Sequence, residues 1–525
     1  MKFFNNAGPI VPKMHYCLDP IERIDKDEIL KLIEQHKYFV LHAPRQTGKT
    51  SSLIALRDYL NAGKLYHCVY VNVEDAQMAR DDIETGIRTI IASLANEIGY
   101  SHKNLARKFA AARKSVEKLS GTSAWGSLLN AFCMPLDKPL VLLIDEIDSL
   151  VGDTLISVLR QIRSGYPKRP KGFPQSIVLC GVRDVRDYRI HSDEGKAIIT
   201  GGSAFNIKAE SIRLGDFSRD DIKELYMQHT KETGQKFETG VFEYVWELTE
   251  GQPWLVNTLA YEACFKIEKD PKKAVTMAHI EQAKENIIMR RDTHIDSLIH
   301  KLREDRVRKV IGPMLAGEKI TFSKKMNAGS KEETPVTPDD VQYVVDLGLI
   351  KARGSYVISN AIYKEIIPRE LVYVEQRDIV EETSWYIEKG RLKMGRLLEN
   401  FQQFFRENSE AWLERFDYKE AGPHLLLMAF LQRVINGGGR IFREYGLGMK
   451  RMDLLVEFGK DRFAIELKVK CNANTEKEGI KQLEEYMDRS GAAEGHLVIF
   501  NVLEKSWKKR IFTKKQKNAI TVWGM

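Results

Sequence analysis

Two groups of residues have the types and spacing to do chemistry. The first begins at APRQTGKT, residues 43–50. A short β-rich run, Tyr38 to His42, enters it, and Ser51 to Leu60 leaves it with Leu53, Leu56 and Leu60 at helical spacing. A strand, loop and helix in that order aim the free backbone N–H groups of the loop at a phosphate. Lys49 would then reach the outer phosphates and Thr50 would offer a hydroxyl to Mg²⁺. Ala43 stands where the signature has its first glycine, which a small residue can replace if the backbone there has negative φ. A chance G-K-T in a solvated turn is the bland alternative, and the second half of the group weakens it. In PLVLLIDEIDSL, residues 139–150, an apolar run reads as a strand buried on both faces and ends in Asp145 and Glu146. Carboxylates at the end of such a strand lie beside the crevice where ligands bind. Asp145 suits the Mg²⁺ shell, and Glu146 suits orienting and deprotonating an attacking water. Pro44, Arg45, Gln46, Thr47, Gly48, Lys49, Thr50, Ser51, Asp145 and Arg183 are therefore the expected nucleotide-binding residues.

The second group is RMDLLVEFGKDRFAIELKVK, residues 451–470. Two β-rich runs, Arg451 to Phe458 and Arg462 to Val469, flank Gly459-Lys460-Asp461, a hairpin signal. Alternation along a strand puts Glu466 and Lys468 on one face and Leu467 on the other. Asp453, on the partner strand, can meet them. Two carboxylates that hold Mg²⁺, or Mn²⁺, beside a lysine that stabilises phosphorane-like charge suit phosphodiester hydrolysis. An isolated E-x-K is otherwise a solvated strand face.

The elements that must position these groups follow from the rest of the chain. At 525 residues, 43% hydrophobic and 29% charged, it has material for about three or four domains. Its six cysteines are scattered without C-x-x-C spacing, which points to reduced thiols. No signal-peptide pattern and no run of about 18 apolar residues occurs. The expectation is a cytoplasmic protein with no membrane partner. Of the formal net charge of +8, most lies after Ala411, where 21 Lys plus Arg face 15 Asp plus Glu. That end would attract a polyanion, although the surplus is modest.

His67 to Val73 and Ser176 to Gly181 are further strand candidates, with helical spacing from Ile83 to Ile98 between them. After the second strand, VRDVRDY offers Arg183 and Arg186. These stabilise charge at the outermost phosphate, in cis or on a neighbouring subunit, or else pair with Asp184 and Asp187. Ser323 to Asp340 is polar and contains Pro and Gly, an exposed loop. From Val372 to Leu413 the spacing is helical, and the apolar stripe that includes Leu397, Leu398, Phe401 and Phe405 is expected to bury against a neighbouring domain.

Residues 1 to about 372 resemble the AAA-like ATPases of bacteria and archaea, a STAND-related group of P-loop NTPases. HAPRQTGKT, VLLIDEIDSL, LCGVRDVRDY, IKAESIRLGDFS and EGQPWLVNTLAYEAC carry the resemblance. It implies that Gly251 and Pro253 begin a lid helix over the nucleotide, the proline sitting in a first helical turn. It also implies that MHYCLDPIERI contacts adenine, although His15 and Tyr16 suit ordinary packing equally. VVDLGLIKARGSYVISNAIYKEIIPR resembles a winged helix, with a helix ending at Gly348 and a polar turn from Ala352 to Ser355. It carries no basic run, which favours a structural or regulatory role over DNA binding. The Asp453, Glu466 and Lys468 cluster resembles the PD-(D/E)XK nuclease superfamily, supported by Gln482 and Tyr486 in the Q-x-x-x-Y spacing of that superfamily. An amphipathic helix precedes it at Pro423 to Val434, and Glu420 or Glu444 would complete its acids. Met452 replaces the leading proline of the motif.

Together these imply an α/β protein. A P-loop NTPase core with a three-layer parallel sheet spans 1–210, a helical lid 211–294 and a winged-helix domain 295–372. A helical connector spans 373–413 and an α/β restriction-endonuclease-like domain 414–525. The expected cofactors are ATP and Mg²⁺. The expected partners are nucleic acid, DNA before RNA, and further copies of the chain. The implied function is an ATPase that regulates a nuclease in defence against foreign DNA. The other reading is a signalling or scaffolding ATPase whose C-terminal fold binds nucleic acid without cutting it.

Overall fold

The computed structural model describes residues 1–183, 189–191, 198–200, 207–290, 298, 301–302, 304–315, 336–353, 355–373, 386–388, 390–413, 427, 430–431, 439–447, 450–469, 474–501, 504, 506–516 and 519–525. The chain divides into two compact units. One comprises Met1–Ile295, Val341–Ser355 and Ser359–Ile362, and the other Asp296–Asp340, Tyr356–Ile358 and Tyr363–Met525.

In the first unit, four largely apolar runs and one polar edge run, KAESIR, make a five-stranded, wholly parallel sheet. Its order is His67–Asn72, Leu140–Asp145, Ser176–Gly181, Tyr38–His42 and Lys208–Arg213. Side chains alternate across it. Val141 and Leu143 pack with Leu53, Leu56 and Leu60 of helix Lys49–Ala62 on one face. Leu140, Leu142 and Ile144 pack with Ile87, Trp125 and Leu159 on the other. Burial on both faces explains the unbroken apolar run before Asp145 and makes the unit three-layered. Because Lys208–Arg213 is the outer strand beside Tyr38–His42, the core extends through residue 213 and a boundary at 210 would cut that strand.

Five helical segments follow: Arg219–Thr233, Val241–Thr249, Pro253–Tyr261, the π-helical Glu262–Ile267 and Met277–Arg290. Ser218 and Asp221 cap the first reciprocally. Gly251 has φ of +79°, and an added Cβ would collide with Phe217 O, so this position demands glycine. Helix Pro338–Asp346 and strands Ile350–Arg353 and Ser355–Ile358 come later. The expected polar turn at 352–355 is thereby corrected, since Ala352, Arg353 and Ser355 are strand residues. Their polarity reflects an exposed ribbon rather than a loop.

The second unit holds a mixed six-stranded sheet. Its order is Gly439–Leu447, Lys450–Phe458, Asp461–Val469, Glu494–Phe500, Ile520–Gly524 and Phe512–Lys515. The first three strands are antiparallel, and the third, fourth and fifth run parallel. Helix Thr475–Ser490 covers one face through Leu483 and Tyr486. Helix Met394–Leu413 covers the other through Leu397, Leu398, Phe401 and Phe405. This last helix is therefore part of the sheet's own core rather than a connector. An apolar stripe shows that a helix is buried without showing what buries it. Most of Pro423 to Val434 and of the 323–340 loop lie outside the described residues, as do Glu420, Asp184, Arg186 and Asp187. No helix among the described residues is long and apolar enough to cross a membrane.

Candidate functional site

The phosphate loop joins strand Tyr38–His42 to helix Lys49–Ala62. Gln46 and Gly48 hold left-handed φ values of 57° and 95°. Ala43 is not among the positive-φ residues, so a methyl group is tolerated where the signature has glycine. Gly48 caps the helix without a side-chain hydrogen bond, leaving the helix N-terminus open to an anion. Thr47 Oγ1 donates to Pro44 O at 2.8 Å. The Lys49 side chain is buried, and its Nζ donates to Ala43 O and Pro44 O at 2.9 and 3.0 Å. Arg45 is exposed.

Sheet order brings Asp145 to this loop. Thr50 Oγ1 donates to its Oδ2 at 2.7 Å, and Tyr70 OH donates to the same oxygen at 3.0 Å. Asp145 is fully buried. A hydroxyl and a carboxylate side by side are hard oxygen donors that suit Mg²⁺. Glu146 follows with φ of 56°. Burial, then the charge of Asp148, raises its carboxyl above the ordinary range, with Lys49 opposing. Asp148 Oδ1 in turn accepts from Val182 N at 3.2 Å, and a Cβ on Gly181 would approach that oxygen to 2.5 Å.

Arg183 follows the Ser176–Gly181 strand and is buried. Its Nε lies 3.2 Å from Asp346 Oδ2, and its guanidinium carbon lies 4.9 Å from the Tyr343 ring centroid. The same later segment reaches the loop itself, where a Cβ on Gly348 would lie 2.7 Å from Pro44 Cγ. Lys351 pairs with Asp216 at 2.8 Å, and Arg353 with Glu250 at 2.9 Å.

Beside the loop is a cavity of about 110 Å³. Gln46, Gly48 and Ser51 line one part of it, and Pro253, Trp254 and Asn257 of helix Pro253–Tyr261 line another. Tyr16 also lines it, but packs against Phe4 and His229 as a core residue would. His15 is buried and its Nδ1 accepts from Val11 N, so it serves the N-terminal strand.

Sequence reasoning missed Arg23, Tyr70 and Asn257. The Arg23 guanidinium donates to Thr47 O and, at 2.7 Å, to Gly215 O, tying the phosphate loop to the segment before helix Arg219–Thr233. Burial lowers its pKa to about 10. The only available signal was its position in DPIERI, within the segment expected near adenine.

The second unit brings together Asp453, Glu466, Lys468 and Tyr486. Register pairs Leu454 with Ile465, which sets Asp453 beside Glu466. Asp453 Oδ2 accepts from Leu467 N at 2.8 Å. Lys468 Nζ meets Glu466 Oε1 at 2.8 Å, while Glu466 Oε2 is buried with no hydrogen-bond partner among the described residues. Burial, then Asp453, pushes the Glu466 carboxyl up to about 7 against the pull of Lys468. Burial acts against the Lys468 ammonium, but Glu466 and Asp453 overcome it and raise its pKa. Burial and the two carboxylates likewise raise Tyr486. Gln482, one turn earlier on the helix, is exposed. Glu444 lies on the edge strand Gly439–Leu447. Among the described residues no group of three or more His, Cys, Asp or Glu side chains converges.

A comparison with curated proteins gives no match. Among solved structures, the fold is similar to a Walker-type ATPase of Pyrococcus abyssi, with 15% identity over 69% of this chain and 99% of that one, at a TM-score of 0.47. It is also similar to Cdc6p from Pyrobaculum aerophilum, with 14% identity over 67% and 95% of the two chains and a TM-score of 0.35. The RuvB Holliday junction branch migration motor of Thermotoga maritima matches at 11% identity over 66% and 95%, with a TM-score of 0.32. The model of the AAA-like domain matches residues 19–306. That match takes in the phosphate loop, the Asp145 strand and the helices from Arg219 to Arg290 and spans more than half of the 525 residues, so the chain belongs to the AAA-like domain family.

Proposed function

We propose that the first unit binds and hydrolyses ATP, and that this governs phosphodiester cleavage at Asp453, Glu466 and Lys468. The observation that carries the ATPase reading is the 2.7 Å bond from Thr50 to Asp145 beneath an uncapped helix N-terminus. The loop N–H groups and Lys49 would hold the phosphates. Thr50 and Asp145 would hold Mg²⁺, which when bound neutralises charge on the outer phosphates. Glu146 would take the proton of the attacking water, helped by the raised affinity of its carboxylate for protons. Arg183, turned toward Asp346, would have to exchange that partner to act on phosphate.

The unpartnered Glu466 Oε2 beside Asp453 supports the second half of the reading, since a buried carboxylate oxygen calls for a cation or a donor. Lys468 stands next to it, placed to stabilise charge on a phosphodiester. Foreign DNA as the target follows from the resemblance alone. The Lys468 to Glu466 ion pair favours the other reading, a non-cleaving nucleic-acid-binding fold, because it already satisfies one carboxylate oxygen.

Incubating the full chain with plasmid and with RNA, with Mg²⁺ or Mn²⁺, with and without ATP, separates the two. The nuclease reading expects metal-dependent cutting that Glu466→Ala abolishes, and a rate that changes in Lys49→Ala. Polymer that binds but stays intact favours the binding fold, whereas cutting indifferent to ATP and to Lys49 leaves two uncoupled activities.

A further inference from the structure

The cavity beside the phosphate loop contains one group that the ATPase reading leaves unused. Three asparagines line it, Asn5, Asn6 and Asn257, and only Asn257 is buried, at 6% exposure. Its Nδ2 donates to Pro253 O at 2.9 Å, one turn back along the lid helix. That bond decides the orientation of the amide, because the reverse would set oxygen against oxygen. The Oδ1 atom has no hydrogen-bond partner among the described residues. A buried acceptor left unmatched is costly, so its presence calls for a donor supplied from outside the chain.

The rest of the cavity indicates what supplies it. Gly48 and Ser51 place one end at the phosphate loop, while Trp254 and Phe217, whose ring the Arg23 guanidinium also approaches, offer apolar aromatic surface that suits a base. The charged residue at the cavity, Arg23, commits its guanidinium to Thr47 O and Gly215 O and so belongs to the phosphate end. The Trp254 indole N–H donates to Asn6 O at 2.8 Å, and Ser51 Oγ accepts from Ile10 N at 3.0 Å. Asn257 is thus the buried polar group open to a base at the lid end.

We infer that Asn257 Oδ1 accepts a hydrogen bond from the exocyclic 6-amino group of adenine, and that this residue selects ATP over GTP. The assignment rests on the nucleotide-binding reading and deepens it. Adenine presents a donor at position 6 where guanine presents an acceptor, so guanine would set two acceptors against each other. A site built around a buried hydrogen-bonding group rejects an analogue that leaves that group unmatched.

The test is calorimetric binding of ATP, GTP and purine riboside triphosphate, which lacks the 6-amino group, to the full chain and to Asn257→Ala and Lys49→Ala. The wild type is expected to bind ATP about tenfold more tightly than either analogue. In Asn257→Ala the preference for ATP over purine riboside triphosphate should fall to within about twofold. Equal binding of these two by the wild type overturns the assignment whether or not the variant folds, and so does a tenfold preference that survives in Asn257→Ala. Nucleotide binding that is lost in Lys49→Ala but ignores the 6-amino group overturns this assignment alone. No nucleotide binding by the wild type overturns the nucleotide reading as well.

Discussion

Arg183 and Asp346, 163 positions apart, form a buried ion pair with 3.2 Å between Nε and Oδ2 and side-chain exposures of 8% and 2%. The strand that ends beside the phosphate loop is thereby tied to the helix that precedes the two-stranded ribbon. Removing the Asp346 carboxylate takes a buried counter-charge from the Arg183 guanidinium. Asp346→Ala should destabilise the first unit by about 3–5 kcal/mol, read as a lowered midpoint in denaturant. An unchanged midpoint would show that the pair contributes nothing.

At the nucleotide loop, binding and chemistry should separate. Lys49→Ala removes the proposed phosphate ligand and should weaken ATP binding in calorimetry. Glu146→Gln retains the loop and should bind normally while hydrolysis slows about 10²- to 10⁴-fold. Undiminished hydrolysis in Glu146→Gln would remove the residue from its role.

The pH dependence of hydrolysis follows from the same carboxylate. Burial and Asp148 raise the Glu146 pKa, so the fraction of unprotonated base declines at a pH where an exposed glutamate would still be ionised. The hydrolysis rate should therefore fall on acidification before ordinary carboxylates protonate. Asp148→Asn removes the second of the raising causes and should move that limb to lower pH. Rate profiles of both proteins check the direction.

On the proposed reading, Glu466 should set a pH limit on cation binding by the other unit. With its carboxyl near 7, a proton competes with a cation for Glu466 below that value. Apparent Mn²⁺ affinity should fall by about tenfold per pH unit below that point, one proton being displaced per ion. Glu466→Gln should bind weakly at every pH. Calorimetric titration with Mn²⁺ alone measures both.

Gly251 provides a backbone test. Its φ of +79° and the close approach of Phe217 O leave no room for a side chain, and Phe217 N donates to Gly251 O at 2.8 Å. Gly251→Ala should cost about 2–4 kcal/mol, seen as a lower melting temperature, because left-handed strain and a steric clash add.

Much of this was legible in the chain. G-K-T after a β-rich run specifies a loop and helix start locally, and the apolar run ending in Asp145 specifies a strand buried on both faces. Strict alternation was enough to put Glu466 and Lys468 on one side, and Gly459 marked the hairpin that brings their strand back along Asp453. What the chain could not disclose is partnership. Helical spacing showed that Leu397 and Phe401 are buried, but only the tertiary structure seats them on the C-terminal sheet. Arg183 finds Asp346 far along the chain, Arg23 reaches Thr47 and Gly215, and Asn257 keeps an unmatched oxygen at a cavity wall. Periodicity and turn chemistry are set by backbone geometry over a few residues, whereas the contacts of a buried polar group depend on strand order and helix packing between segments far apart in the chain.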